Sequence, residues 1–341
     1  MKIKLLFTII PIIIFYSCAS TRYLTIDIRE PAYVSFPAEV TKVVIVDNSS
    51  PDLQGNKDDS RTGILPVDSA REILVESLTL FMNEENYFSE VELYPYKTNR
   101  NREVTPLTKR KIEHICKEKG ANALISLDLF AIAAEIEAGD NAYFSYYSVL
   151  QTKLGTIFRV FSPQGEEYST AFAYVDSLFR TDERDWSRLK SNSSAINELL
   201  VETVVTGADK LTSYFIPSWK KQERWFYTDN SSQMKAAQTS LESGDWTNAA
   251  KIWGDLHGKE SNVNKKVKLA SNLALANEYL DDIGNAVAWI NTAFDLLTGK
   301  NMSSELPLQI LSYKNILENR QKNRPKLLEQ LGLEEVFEVE E

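Results

Sequence analysis

The sequence predicts two folded parts, an α+β domain followed by an all-helical domain. Short β-branched runs and alternating apolar patterns fill the first two thirds of the chain, with helical stretches between them. From Gln233 onward the apolar residues recur only at helical spacing. A chain of 341 residues is also too long for one small core, which favours two domains.

The chain begins with a segment typical of an export signal. Lys2 and Lys4 precede an apolar run of twelve residues from Leu5 to Tyr16. A bilayer core of about 30 Å requires roughly 20 helical residues, so this run is too short to span it. It fits the apolar region of a secretory signal.

Ser17 and Cys18 after this run resemble the lipobox of bacterial lipoproteins, although the two residues before Ser17 are aromatic where Leu and a small residue are usual. The resemblance implies a signal peptide over residues 1–17, a lipid-carrying Cys18 and a tether over residues 18–22. Because no Asp follows Cys18, the familiar sorting rule implies the outer membrane, with the protein facing the periplasm. An ordinary secretory signal or an uncleaved anchor is the alternative.

Two strand patterns open the α+β domain, which is predicted over residues 23–216. Residues 23–29 alternate apolar and polar side chains and predict a half-buried strand, whereas Lys42 to Asp47 is a nearly continuous β-branched run that predicts a strand buried on both faces. The following loop, residues 48–63, is rich in Asp, but the spacing matches no EF-hand. A solvated loop is therefore favoured over a calcium site.

Helices and further strands follow this loop. Pro66 precedes one amphipathic helix, and Thr105 as N-cap with Pro106 as first helical residue predicts a second helix that ends at Gly120. Further strands are predicted over residues 89–96, 123–136, 149–161 and 168–174, with a long helix after residue 185. From Lys42 the order is β-α-β-α-β-β-β-α.

This order, with the Gly120-Ala121-Asn122-Ala123 segment that leads into a strand, resembles the periplasmic domains of curli-export lipoproteins and penicillin-binding-protein activators. The resemblance implies a mixed sheet covered by helices. A membrane pore of the curli-export kind is not indicated, because residues 123–178 lack a lipid-facing aromatic pattern.

Residues 217–232 are predicted to be an aromatic junction between the domains. Aromatic rings bury large areas, so packing between the two domains is the favoured interpretation. A stacking surface for a sugar or a peptide is the alternative. The candidate ligand-binding aromatics are Trp219, Trp225, Phe226, Tyr227, Trp246 and Trp253.

Residues 233–333 are predicted to form tetratricopeptide-like helical pairs, followed by an acidic tail over residues 334–341. The positions that suggest the repeat are Ala237, Gly244, Ala249 and Trp253 in the first pair and Ala276, Tyr279, Gly284 and Ala288 in the second. Matching Ala249 to Ala288 gives a spacing of 39 residues. Pro325 is expected to end a helix. The pairs could bind a partner in a groove or only buttress the sheet domain.

Composition and motifs exclude several functions. A net charge of −10 with no basic stripe argues against nucleic-acid binding. There is no phosphate-binding glycine loop, and His114 and His257 lie on different predicted domains, which argues against a zinc hydrolase. Cys116 lies on the apolar face of a helix and is expected to be a buried thiol. No enzyme, metal or cofactor is therefore expected.

The whole layout resembles an uncharacterised family of Bacteroidota-type envelope lipoproteins. The residues that carry this resemblance are Ser17-Cys18, residues 29–32 with Pro37, the run Lys42 to Asp47, and residues 219–227 leading into Gly244-Asp245-Trp246. It implies a lipid-anchored scaffold or adaptor that binds a protein partner through its helical repeats. Binding of a glycan or peptidoglycan fragment and an unrecognised hydrolase are the alternatives.

Overall fold

The computed structural model describes residues 20–50, 64–95, 104–141, 144–182, 193–299 and 304–333. The predicted signal peptide with Cys18, the aspartates at 52, 58 and 59, and the predicted acidic tail lie outside these ranges. The chain divides into a sheet unit, Arg29–Ser218 with Lys326–Glu341, and a helical unit, Met1–Ile28 with Trp219–Pro325. The predicted fold class, α+β followed by all-helical, is confirmed.

The sheet unit contains a five-stranded mixed sheet whose strand order is β3-β2-β4-β5-β6. Its strands are β2 (Lys42–Asp47), β3 (Glu90–Tyr94), β4 (Ala123–Asn141), β5 (Phe144–Phe161) and β6 (Glu167–Asp182). Strand β2 pairs in parallel with β3 and β4, whereas β4, β5 and β6 are antiparallel. The β-α-β-α-β-β-β-α order predicted from the sequence is present.

Helices cover both faces of this sheet. They are α1 (Val67–Glu84), α2 (Lys109–Lys119) and α3 (Ser193–Phe215). Helices α1 and α3 pack on the face that carries Val43 and Ile45, and α2 packs on the face that carries Val44 and Val46. All four side chains are fully buried, as the continuous apolar run predicted for a central parallel strand.

Helix α2 begins three residues later than the sequence predicted. Thr105 is not its N-cap; Thr108 holds that position in an extended conformation, without a side-chain capping bond. The reason is tertiary: the Thr105 carbonyl accepts a bond from Asn48 Nδ2 at 2.8 Å, and Leu107 is buried against the sheet. The predicted end is correct, since Gly120 has the left-handed φ of 63°.

The antiparallel strands are longer than the apolar pattern predicted. Pairing between β4 and β5 continues from Leu124↔Phe161 to Asn141↔Phe144, beyond the predicted ends of both strands. Backbone hydrogen bonds need no apolar side chains, so the hairpin continues beyond the apolar residues from which each strand was predicted.

The helical unit combines a two-stranded sheet with antiparallel helices. The strands are β1 (Ser20–Glu30) and β7 (Ser218–Thr228), which pair with each other. The helices are α4 (Ser232–Glu242), α5 (Trp246–Lys259), α6 (Val263–Tyr279), α7 (Ile283–Asp295) and α8 (Glu305–Leu331).

The predicted domain boundaries need correction. The chain passes from the sheet unit to the helical unit between Ser218 and Trp219, within the predicted junction of residues 217–232, but most of this range forms strand β7. Residues 23–28 belong to the helical unit, since they pair with β7, and residues from Lys326 onward belong to the sheet unit. Each of these two segments belongs to a different unit from the residues next to it in the sequence, so the sequence did not predict either assignment.

Two helical hairpins repeat within the helical unit, α4–α5 and α6–α7. Asp245 and Asp282 are the N-caps of α5 and α7, and each accepts a bond from the backbone N–H three residues later. From Asp245 to Asp282 is 37 residues, so the spacing of 39 was wrong. The residue of the second hairpin that is equivalent to Ala249 is the buried Ala286 rather than the exposed Ala288.

The second hairpin turns without the predicted glycine. Asp281 has the positive φ of 61° that corresponds to the 83° of Gly244, and Gly284 lies inside α7. Asp tolerates this left-handed region better than most residues.

Helix α8 continues through Pro325, where a break was predicted. Proline removes one helical hydrogen bond. After it, bonds inside the sheet unit hold the last turn: Gln330 Oε1 accepts from Ala32 N–H at 2.8 Å, Gln330 Nε2 donates to the Val34 carbonyl at 3.1 Å, and Tyr87 Oη donates to the Gln330 carbonyl at 2.6 Å.

Among the residues that the structure describes, no helix has the length and apolarity needed to cross a membrane.

Gly207 on α3 tests how closely this helix packs on the sheet. A Cβ atom at Gly207 would lie 2.5 Å from Cδ2 of the buried Leu154. We expect Gly207→Val to destabilise α3 by about 2 kcal/mol, because a packed core does not accept the extra volume. Hydrogen–deuterium exchange of the α3 amides should become faster.

Gly254→Val on α5 is the matched control, because a Cβ there has no neighbour within 4 Å. Its exchange should match that of the wild-type chain. Equal exchange of α3 in the wild type and in Gly207→Val would show that the packing is looser than described.

Candidate functional site

A groove in the helical unit is the candidate functional site. It lies between the end of β7, the start of α4, the end of α5 and the start of α6, and has a cavity volume of about 240 Å³. It is lined by Tyr227, Thr228, Asp229, Ser231, Gln233, Met234, Leu256, Glu260, Lys265, Lys268 and Leu269. Sites for whole small molecules are usually about 300–1,000 Å³, so this groove suits one or two side chains of a larger partner.

The floor of the groove is apolar. Met234 and Leu269 are buried at 8% and 6% exposure, and Leu256 is half-buried beside them. Each comes from a different helix, and each lies within one or two turns of a helix end. The floor therefore depends on the packing of three helices.

Two lysines carry positive charge at the start of α6. No ion pair joins Lys265 or Lys268 to a carboxylate within the part of the chain that the structure describes. The Lys268 ammonium lies 5.4 Å from the centroid of the Tyr227 ring, within reach of a cation–π contact. The first turn of a helix disfavours cations because its free N–H groups are already positive. Lys265, the third residue of α6, therefore does not stabilise the helix that carries it.

The two acidic residues of the groove are engaged by backbone groups. Asp229 Oδ1 accepts from the Ser231 N–H, and Glu260 Oε1 accepts from the Asn262 N–H, both at 2.8 Å. Both bonds order the turns ahead of α4 and α6. The carboxylates are therefore held by their own loops rather than by the lysines.

Thr228 adds an unused polar group to the groove wall. The residue is 5% exposed, and its Oγ1 has no hydrogen-bond partner in the described chain. Because this oxygen is itself shielded from solvent, a bound group would reach it only if the groove wall moved.

Hydrogen bonds across the unit fix the Tyr227 wall. Tyr227 N–H donates to Asn272 Oδ1 at 2.8 Å, and Asn272 Nδ2 donates to the Tyr227 carbonyl at 2.7 Å. Tyr227 Oη donates to Gln309 Oε1 at 2.7 Å. Burial raises the pKa of Tyr227 to about 12, so the phenol keeps its proton and this bond at neutral pH.

A buried carboxylate next to this wall links β7, α6 and α8. Glu278 has no exposed side-chain surface and receives two bonds from Arg224, both of 2.9 Å. Tyr313 Oη donates to it at 2.7 Å and Arg320 Nη1 at 2.8 Å. Burial opposes ionisation, but Arg224, with Tyr313 and Arg320, holds the pKa of the Glu278 carboxyl below its ordinary value.

The six aromatics predicted from the sequence do not form one surface. Trp246 stacks on Tyr279 with ring centroids 3.9 Å apart, and Trp253 is 1% exposed. Phe226 and Tyr227 are also buried, Trp225 is partly buried, and Trp219 is 61% exposed. Four of the six are therefore core residues of the helical unit, and of these four only Tyr227 lines the groove.

Sequence reasoning missed Thr228, Met234, Lys265 and Lys268. The connection between α5 and α6 is short, because α6 already begins at Val263 after the N-cap Asn262. With this N-cap recognised, lysines at the start of a helix are the pattern in the sequence that would indicate the site.

A second polar cluster lies at the carboxyl end of β2, where its parallel pairing with β4 ends, and α/β folds often bind ligands at such an edge. Asp128, with no exposed side-chain surface, accepts from Asn48 Nδ2, Ser126 Oγ and Arg159 Nη1 at 2.9, 2.6 and 3.0 Å. Burial raises the pKa of Asp128. These groups satisfy one another, so this cluster is structural.

The described residues show no arrangement that suggests catalysis. No group of three or more metal-ligating side chains occurs among them. Cys116 is buried, which raises the pKa of its thiol to about 11 and keeps it protonated.

Comparisons with known proteins give families without an assigned role. The model of a domain of unknown function, DUF8603, matches residues 40–227, more than half of the chain. Another domain of unknown function, DUF6340, matches residues 235–319. No curated protein matches the chain.

Several solved structures are distantly similar. A minor lipoprotein from Acinetobacter baumannii is 10% identical with a TM-score of 0.29, and the match covers 52% of this chain and 90% of that one. A putative neuraminyllactose-binding hemagglutinin homolog from Helicobacter pylori is 14% identical with a TM-score of 0.24, covering 53% and 93%. Lipoprotein GNA1162 from Neisseria meningitidis is 13% identical with a TM-score of 0.18, covering 46% and 96%. At these levels no ligand or partner transfers to this chain.

Glu278→Gln tests the buried link beside the groove. We expect it to lower the free energy of unfolding of the helical unit by about 3 kcal/mol at pH 7, because Arg224 keeps its charge in a buried place. Urea unfolding followed by tryptophan fluorescence measures this, since the described tryptophans lie in the helical unit.

The same variant should change the pH dependence. A carboxyl whose pKa is lower in the folded state stabilises fully above its ordinary value, here 4.5, and loses this contribution as the pH falls below it. The free energy of unfolding of Glu278→Gln should lack this acid-sensitive contribution. Glu318→Gln, at a surface pair with Lys314 on one helix, is the control and should change stability by less than about 0.5 kcal/mol. Equal effects of the two variants would refute a special role for Glu278.

Proposed function

We propose a role for this chain, which belongs to the DUF8603 family, as a lipid-anchored adaptor of the cell envelope that binds a partner protein. The groove of the helical unit is the proposed binding site. The observation that carries this proposal is an apolar floor beside Lys265 and Lys268, neither of which has a carboxylate partner in the described chain, in a protein of net charge −10.

The location rests on the first residues of the sequence. The apolar run before Ser17 and Cys18 supports export and lipidation, and three acyl chains on Cys18 would hold the protein firmly, since one chain alone binds only marginally. We place it at the outer membrane, facing the periplasm, because no Asp follows Cys18. The resemblance to Bacteroidota-type envelope lipoproteins is part of this proposal.

A binding role is favoured over a catalytic one. The groove offers apolar contacts, two ammonium groups and a hydroxyl, but no nucleophile beside a base. Its floor and cations suit recognition of a side chain from another protein.

Lipidation can be tested directly. Cells that express the full chain are grown with a palmitate analogue, and the labelled protein is compared with Cys18→Ala. We expect label on the wild type and none on the variant, because Cys18 is the proposed attachment site. Label that persists in Cys18→Ala would show that this residue is not the anchor.

Partner binding through the groove can be tested by site-specific photo-crosslinking in cells. A photoreactive residue at Gln233, which is exposed and lines the groove, should give a discrete adduct with one partner. The same residue at Lys251, which is exposed on α5 outside the groove, should not.

The adduct should also disappear when Leu256→Trp fills the groove. Equal adducts from Gln233 and Lys251, or an adduct that survives Leu256→Trp, would contradict binding in the groove.

A further inference from the structure

We infer that the groove recognises an extended segment in which an acidic side chain adjoins an apolar one. This inference rests on the proposed function, since it names the chemistry of the partner at the same site.

The apolar half follows from the floor. Met234, Leu256 and Leu269 form a surface that is already shielded from most of the solvent. Within about 240 Å³ there is room for one large apolar side chain, which would release the remaining water from this floor. A segment of polar residues alone would leave the floor uncovered.

The acidic half follows from the cations. Lys265 and Lys268 are one turn apart on α6, and both lack a carboxylate partner within the described chain. Lys265 stands in the first turn, where the positive end of the helix also favours an anion, and Lys268 stands one turn later. A carboxylate placed there meets two ammonium groups and the positive end of the helix.

The acids of the groove set a limit on the ligand. Asp229 and Glu260 each use one oxygen to hold a backbone N–H, which fixes their positions at the two turns. A strongly acidic run would meet these carboxylates as well as the lysines. The site is therefore best matched by single acidic residues next to an apolar one, not by a polyanion.

Affinity of short peptides for the lipid-anchored full chain in detergent tests the inference. Three peptides with blocked ends contain Glu-Phe-Glu, Gln-Phe-Gln or Lys-Phe-Lys, so they share the apolar centre and differ in charge. Isothermal titration calorimetry should show the Glu peptide binding at least tenfold more tightly than the Gln peptide, and the Lys peptide most weakly.

Matched variants locate the effect. The double variant Lys265→Ala/Lys268→Ala should bind the Glu and Gln peptides equally. Lys251→Ala on the outer side of α5 should keep the tenfold difference. Both changes are on exposed or half-exposed side chains, and circular dichroism verifies that each variant is folded.

The outcomes separate the two proposals. If the Glu and Gln peptides bind equally to the wild type and Leu256→Trp abolishes both, the acidic preference is wrong and the groove remains a binding site. Tighter binding of the Lys peptide, or no binding by any of the three at millimolar concentration, also overturns the acidic preference. The crosslinking from Gln233 then decides the proposed function independently.

Discussion

A buried carboxylate organises the helical unit. Glu278 has no exposed surface, yet it stays ionised because Arg224 and Arg320 both donate to it, with Tyr313 as a third donor. These donors come from β7 and α8, and the carboxylate comes from α6. Leaving any of these charges unpaired in the interior costs several kcal/mol, so the strand and the two helices are stable only when they are assembled together.

This network determines where the groove walls stand. Arg224 lies three residues before Tyr227 on β7, and Asn272 lies on α6 between the lysine-bearing turns and Glu278. The strand is therefore tied to α6 twice, by Arg224 to Glu278 and by Tyr227 to Asn272. Both ties are side-chain bonds with fixed directions. The ring of Tyr227 and the ammonium of Lys268 consequently face each other without any ligand being required to order them.

Local patterns predicted much of the fold. The β-branched run at Lys42–Asp47 and the stop at Gly120 depend on neighbours in the sequence, and both predictions are correct. The predictions are wrong where a residue far away in the sequence determines the local backbone conformation. Asn48 draws Thr105 into an extended segment, and the bonds of Gln330 hold the helix past Pro325. No periodicity in the chain indicates contacts between residues separated by 57 or 298 positions.

The candidate site was missed for a related reason. The sequence predicts aromatic residues as ligand-binding groups, but large rings also bury the most area in a core. Trp246 and Trp253 are core residues of the helical unit. Lys265 and Lys268 have the opposite property: they contribute little to the core, and the charge of Lys265 in the first turn of α6 works against the helix. A charge that the fold does not need, next to apolar surface that the fold leaves partly open, is better evidence of a partner than a cluster of rings. Two observations identify such a charge. The N-cap at Asn262 can be recognised in the sequence, whereas the absence of an ion pair in the described chain is known only from the structure.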